Sequence, residues 1–147
     1  MERVIEFLIN HYLLSLAFVV VTYLLIQDLF ETALKKYNTI SPLLAVAKMN
    51  EMKTVVVDVR DQTEFASGHI QEAIHLPLDK FDNELKKIEA YKKDPVLVIC
   101  QNGTRAISAG KLLTKAGFEQ VFVISGGMES WQTDYKLPIK KSKKTFA

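Results

Sequence analysis

From Phe7 to Ile26 the chain runs 20 residues without a formal charge, His11 being counted neutral. A helix of that length rises roughly 30 Å, the hydrocarbon thickness of a bilayer. Ser15 is the one polar residue between Leu13 and Val21. Tyr12 and Tyr23 stand near the two ends, where amphipathic rings sit at headgroup level. A cleaved signal peptide needs a basic leader, an apolar stretch of about 7–15 residues and a small-x-small cleavage site. Glu2-Arg3-Val4-Ile5-Glu6 is no such leader, and Gln27-Asp28-Leu29-Phe30-Glu31 contains no such site. The expectation is therefore an uncleaved transmembrane helix over residues 4–27, in preference to a signal peptide or a buried core helix. His11 and Asn10 are expected at its membrane interface.

Orientation follows from the basic flanks, Arg3 on one side against Lys35 and Lys36 on the other. The larger cluster places the rest of the chain in the cytoplasm. Cys100, the only cysteine, agrees, because a solitary thiol suits a reducing compartment. Residues 28–40 are expected to form a connector. From about Gln27 to Asn38 it reads as helical, with Leu29, Phe30 and Leu34 on one side.

Beyond the connector the pattern becomes one of strands and helices in alternation. Ser41-Pro42 opens a helix, with serine as N-cap and proline at the first helical position, where its missing N–H costs nothing. That helix runs to about Met49 and is expected to turn Leu43, Leu44 and Ala47 to the core. Thr54–Val59, Val96–Ile99 and Val121–Ile124 are β-branched runs without alternation, which predicts strands buried on both faces. A short strand around Ile74-His75-Leu76 stops at Pro77. Between Thr104 and Lys115, the residues Ala106, Ala109, Gly110, Leu113 and Ala116 share one face that packs closely on a sheet, and Gly117 ends the helix. Buried strands separated by helices imply an α/β domain with a central parallel sheet covered by helices on both faces. It is assigned to residues 41–137, preceded by one N-terminal transmembrane helix and followed by a basic tail, 138–147. The tail carries four lysines between Lys140 and Lys144. It is read first as a solvated, frayed terminus and second as a segment drawn to anionic lipid.

The net charge of +2 provides no footprint for nucleic acid. One cysteine and three histidines without metal-ligand spacing make a metal or a cofactor unexpected. The chemistry instead collects at Cys100-Gln101-Asn102-Gly103-Thr104-Arg105. In an open parallel sheet, ligands bind beyond the carboxyl ends of strands, where loops lead into helices. Cys100 is placed at such an end, and Gly103 allows the loop amides and a helix N-terminus to converge on an anion. That setting favours the thiolate, with Arg105 within reach as a fixed cation. The alternative is that Cys100 is a small core residue ending a strand, as most free cysteines are. The polar, turn-forming residues after it argue instead for an exposed sulfur at a loop start.

These residues resemble the rhodanese-like sulfurtransferases. The loop is similar to their Cys-x-x-Gly-x-Arg pattern. Val57-Asp58-Val59-Arg60 with Glu64-Phe65 resembles the first family signature, and Gly68-His69-Ile70-Gln71-Glu72-Ala73-Ile74-His75-Leu76-Pro77-Leu78 the second. Gly117-Phe118 and Gly126-Gly127-Met128-x-x-Trp131 resemble the closing ones. With the anchor added, the chain is similar to the membrane-tethered single-domain rhodaneses of bacterial inner membranes. The resemblance implies that Cys100 carries sulfane sulfur as a persulfide. A donor such as thiosulfate or another persulfide would supply it, and a small thiol, a protein thiol or cyanide would accept it. The amides from Gln101 to Arg105 would stabilise the persulfide, and Arg105 would hold the loop and help bind an anionic donor. The bilayer is a partner through the anchor, which points to an acceptor that is itself a membrane protein.

Two positions depart from the family pattern. Gln101 replaces the basic residue that often follows the cysteine, which weakens attraction for a dianion. Glu72 replaces a glycine in a surface turn. Four residues between Cys100 and Arg105 also make the loop narrower than the Cys-x5-Arg loop of cysteine phosphatases. The rival of a different class is a non-catalytic rhodanese-fold interaction module held at the membrane, which fold alone does not exclude. Of the supporting residues, Asp58 is expected to hydrogen-bond loop amides, Arg60 and Glu64 to pair on one helical turn, His69 to hydrogen-bond at a turn or sheet edge, and Trp131 to pack the core.

Overall fold

The computed structural model describes residues 1–33, 37–51 and 53–142. They fall into two units, one before and one after residues 34–36. The first consists of α1, Glu2–Asn10, and α2, Tyr12–Ala33. The expected single helix over residues 4–27 is thus divided at His11, whose φ of −121° and ψ of 43° leave the helical region. The break falls where the polarity pattern changes. In α1, Glu2, Glu6 and Asn10 recur at helical spacing on one side while Val4, Ile5, Leu8 and Ile9 occupy the other. In α2, the residues from Tyr12 to Ile26 carry no charge on any side, and the span Tyr12–Phe30, 19 residues long, is enough by length and composition to cross a membrane. Its Ser15 and Thr22 hydroxyls donate to the carbonyls of His11 and Phe18 at 3.2 and 2.7 Å. Such internal pairing is what a polar group needs in apolar surroundings.

The second unit is built on five parallel strands: β1 Tyr37–Ile40, β2 Val55–Asp58, β3 Ile74–His75, β4 Pro95–Ile99 and β5 Gln120–Ile124. Their order is β1-β5-β4-β2-β3. Successive side chains of a strand point to opposite faces, and the core divides accordingly. Val55, Val57, Val59, Val96, Val98 and Cys100 face one side, where Ala106, Ala109 and Leu113 of α6, Thr104–Lys115, pack with Phe81 of α5, Phe81–Glu84, and with Ile88. Val56, Leu97, Ile99 and Ile124 face the other, against Ala45, Met128 and Trp131. Trp131 is buried at 2% exposure, as expected of a core residue.

Three expectations are corrected here. Tyr37 and Asn38, read as the end of a helical connector, belong to β1, which pairs with β5 from Tyr37↔Val121 to Ile40↔Ile124. Only Tyr37 and Ile40 of this edge strand are buried, so its four residues carry little apolar signal. Helix α3, Pro42–Glu51, is capped by Ser41, whose hydroxyl accepts from the Leu44 amide at 3.3 Å. It buries Pro42 and Ala45 and leaves Leu43 and Leu44 exposed, so the face turned to the core is the one that carries Ala45. The proximal part of the basic tail is docked. His69 and Lys140 exchange backbone hydrogen bonds at 2.8 and 2.7 Å, and Trp131 donates its indole N–H to the Pro138 carbonyl at 3.1 Å. His69 thereby holds a sheet-edge role of the expected kind. Lys143 and Lys144 lie outside the described residues, as do Leu34, Lys35 and Lys36 of the connector.

Candidate active site

Strand β4 delivers Cys100 to the carboxyl end of the sheet, and four residues later α6 begins at Thr104. The turn between them depends on Gly103, whose φ of 99° lies in the left-handed region that side chains disfavour. Its amide donates to Cys100 Sγ at 3.0 Å, a contact that stabilises negative charge on the sulfur. Asn102 Oδ1 accepts from the Thr104 amide at 3.1 Å and so covers the start of α6. The first two residues of the turn are held from behind. Met128 and Glu129 donate their amides to the carbonyls of Cys100 and Gln101 at 2.7 and 3.0 Å. Both amides follow Gly126 and Gly127, which have φ of 70° and 58° and start α7, Gly127–Glu129.

Cys100 is fully buried, contrary to the exposed sulfur expected from its polar neighbours. Strand alternation decides this: Cys100 continues the face that carries Val96 and Val98 and packs into the same cluster. The polar residues after it turn away from that face and do not uncover it.

Two guanidinium groups flank the loop. Arg60, with its side chain 2% exposed, donates through Nε and Nη2 to Asp58, at 3.0 Å to Oδ1 and 2.7 Å to Oδ2. Nη2 also reaches the Gly68 carbonyl at 2.7 Å, and Nη1 reaches Gln101 Oε1 at 3.3 Å. Asp58 therefore serves Arg60, by guanidinium and by the Arg60 amide at 3.1 Å, in place of the expected set of loop amides. The expected Arg60–Glu64 pair is absent. Glu64 lies on α4, Gln62–Ser67, and takes both terminal nitrogens of Arg105 at 2.8 Å. Arg105 sits in the first turn of α6, so this pair ties α4, which follows β2, to α6, which follows β4. The Arg105 hydrogen bonds hold the Glu64 carboxyl below its ordinary range, and Glu64 in turn raises the Arg105 guanidinium.

The family model of the rhodanese-like domain matches residues 41–134. The chain belongs to the rhodanese-like family. Among curated relatives, uncharacterized protein YibN of Escherichia coli K12 is 31% identical over 144 residues, covering 97% of this chain and all of that protein. Thiosulfate sulfurtransferase GlpE of Coxiella burnetii is 34% identical over 99 residues, covering 67% of this chain and 91% of GlpE. Among solved structures, the polysulfide-sulfur transferase homodimer of Wolinella succinogenes superposes with a TM-score of 0.64 at 26% identity, over 83% of this chain and 91% of that one. Within this rhodanese-like domain, β1 precedes the matched segment, and the likeness to YibN extends across α1 and α2 as well.

Two site features were not foreseen from the residues. Gly127 enters the sequence reading only within the closing signature Gly126-Gly127-Met128-x-x-Trp131, although a second glycine after a strand is itself a sign of close backbone approach. Glu64 was recognised as one half of an ion pair, but its partner lies 41 residues away. No local spacing rule reaches that far.

Proposed function

We propose that this rhodanese-like domain is a sulfurtransferase that carries sulfane sulfur as a Cys100 persulfide. The observation that carries the reading is the Gly103 N–H on Cys100 Sγ, at the carboxyl end of β4 and the start of α6. Sulfurtransferase names among its relatives support the same reaction class. In the first half-reaction the Cys100 thiolate attacks the outer sulfur of the donor. A bond forms between Sγ and that sulfur as the donor's S–S bond breaks, and sulfite or a thiolate leaves with the electron pair. In the second, an acceptor thiolate or cyanide attacks the outer sulfur and the Cys100 thiolate is regenerated. Gln101, Asn102, Thr104 and Arg105 shape the loop around the persulfide, with Asp58 and Arg60 fixing it from below. No net oxidant is needed.

The reading includes a tether: α2 as a single membrane pass in a bacterial inner membrane, with the domain in the cytoplasm. The length and polarity of Tyr12–Phe30 support it. If it is correct, the full chain sediments with membranes and is released by detergent but not by alkaline carbonate.

The deciding experiment is intact-mass spectrometry of the detergent-solubilised full chain after exposure to thiosulfate and, separately, to a small persulfide. A gain of one sulfur atom is expected, removed by cyanide and absent in Cys100→Ser. No adduct from either donor would move the assignment to a binding module that uses the same fold without chemistry.

A further inference from the structure

None of the residues of α1 is buried, yet its two sides differ sharply. Glu2, Arg3, Glu6 and Asn10 fall within one sector of about 100° of the helix. The rest of its circumference carries Val4, Ile5, Phe7, Leu8 and Ile9, each between 46% and 67% exposed. Two observations indicate what this apolar side meets. The first is length. One straight helix over residues 2–33 would be about 48 Å long, against a bilayer core of roughly 30 Å. The span Tyr12–Phe30 fills that core by itself, and none of it is buried in the protein. The second is the joint between the helices. The Ser15 hydroxyl reaches the Leu8 carbonyl at 3.4 Å as well as that of His11 at 3.2 Å. Residues seven apart in a straight helix are separated by about 10.5 Å along its axis. A hydrogen bond from Ser15 to Leu8 therefore means that the axis bends at His11, where the backbone leaves the helical region. The bend keeps a donor on its carbonyls, as a joint at the edge of an apolar layer requires.

We propose, resting on the reading of α2 as a membrane pass, that α1 is an interfacial helix whose partner is the bilayer surface. It lies along that surface with Val4, Ile5, Leu8 and Ile9 in the boundary between headgroups and acyl chains, and with Glu2, Glu6 and Asn10 toward water. The bend at His11 turns α1 off the line of α2 one residue before the span begins, so the apolar side of α1 adjoins the same lipid. Glu2 and Glu6 against Arg3 leave no excess of positive charge on the polar sector. Burial of apolar surface, and not attraction to anionic headgroups, therefore holds the helix in place.

Spin labels measure this directly. The full chain carries Cys100→Ser, which removes its only thiol, and one of Val4→Cys, Glu6→Cys, Leu8→Cys, Asn10→Cys or Val20→Cys. Each labelled protein is reconstituted into vesicles of phosphatidylcholine, alone or mixed with anionic phosphatidylglycerol. Collision with oxygen, which partitions into the bilayer, is compared with collision with a water-soluble nickel chelate. Labels at positions 4 and 8 are expected to favour oxygen at one shared depth of about 5–10 Å. Labels at 6 and 10 should favour nickel, and the label at 20 should lie near the bilayer centre, all alike in both lipids. Ile5→Glu with Leu8→Glu should raise nickel access at position 4 to the level found at position 6 and leave position 20 unchanged. Depth increasing steadily from position 4 to position 10, nickel access at all four α1 positions, the alternation appearing only in anionic vesicles, or no response to the two glutamates would each overturn the proposal. With position 20 deep, any of these leaves the membrane pass standing. Nickel access at position 20 would overturn both.

Discussion

Gly127 lies so close to Cys100 that a Cβ at position 127 would strike the Cys100 carbonyl oxygen and come within 2.7 Å of Gln101 backbone atoms. The contact is backbone against backbone, so neither partner can swing aside. Gly127→Ala is therefore expected to cost about 1–3 kcal/mol from overpacking, with further cost from a side chain at a φ of 58°. Gly68→Ala supplies the contrast. Its Cβ would meet only the tip of the Ile139 side chain at 2.7 Å, which can rotate away. Thermal melts should show a clear loss for Gly127→Ala, together with loss of sulfur loading, and a small one for Gly68→Ala.

The buried pair Asp58–Arg60 should be costly to halve. Removing Asp58 leaves a guanidinium in the core with its charge uncompensated, and breaking such pairs typically costs about 3–5 kcal/mol. Denaturant titration of Asp58→Ala checks this. The double replacement Asp58→Leu with Arg60→Met should lose less than the sum of the single changes, because the stranded charge is gone. A loss below that of an ordinary surface substitution would show that Arg60 finds water or another partner.

Acid stability should report the Glu64–Arg105 pair. Glu64 is held below its ordinary 4.5, first by the Arg105 hydrogen bonds, and Asp61 below 3.8, first by the Glu64 amide. Both carboxyls are thus more acidic folded than unfolded. Their contribution is fully present above the unfolded values and is lost as pH falls through the folded ones. The unfolding free energy of wild type should decline once pH drops below about 4.5. Glu64→Gln should be less stable at neutral pH and should decline less steeply in acid, so that the two curves converge. Parallel curves would contradict the assignment.

Glu72 stands where the resembling family has glycine, and it adopts a φ of 63° on an exposed turn. A non-glycine residue in the left-handed region costs roughly 1–2 kcal/mol, partly offset by the greater freedom glycine has when unfolded. Glu72→Gly is expected to raise stability by up to about 1 kcal/mol, read as an increased melting temperature with unchanged sulfur loading. A fall in melting temperature would show that the Glu72 side chain makes a stabilising contact in this turn.

Much of the architecture was legible in the residues alone. Runs such as Val55-Val56-Val57 and Val96–Ile99 are apolar on both faces, and only a sheet covered on both sides accommodates them. The spacing of Ala106, Ala109, Gly110 and Leu113 marked the face that α6 buries. Cys100, Gly103 and Arg105 were identified as one loop because their chemistry lies within six consecutive residues. Short-range pattern is sufficient wherever the interacting groups are neighbours in the chain.

What tertiary structure alone decided concerns groups that meet across the fold. Tyr37–Ile40 becomes a strand because β5 offers its edge, and nothing within those four residues requires it. Glu64 chose Arg105 over Arg60 because the crossover from β2 to β4 brings α4 to the first turn of α6, while Arg60 is drawn inward by Asp58. The exposure of Cys100 followed strand alternation into the core, against the polarity of its neighbours. Periodicity specifies which face a residue takes within its own element; which distant group meets that face depends on how the elements are joined and packed.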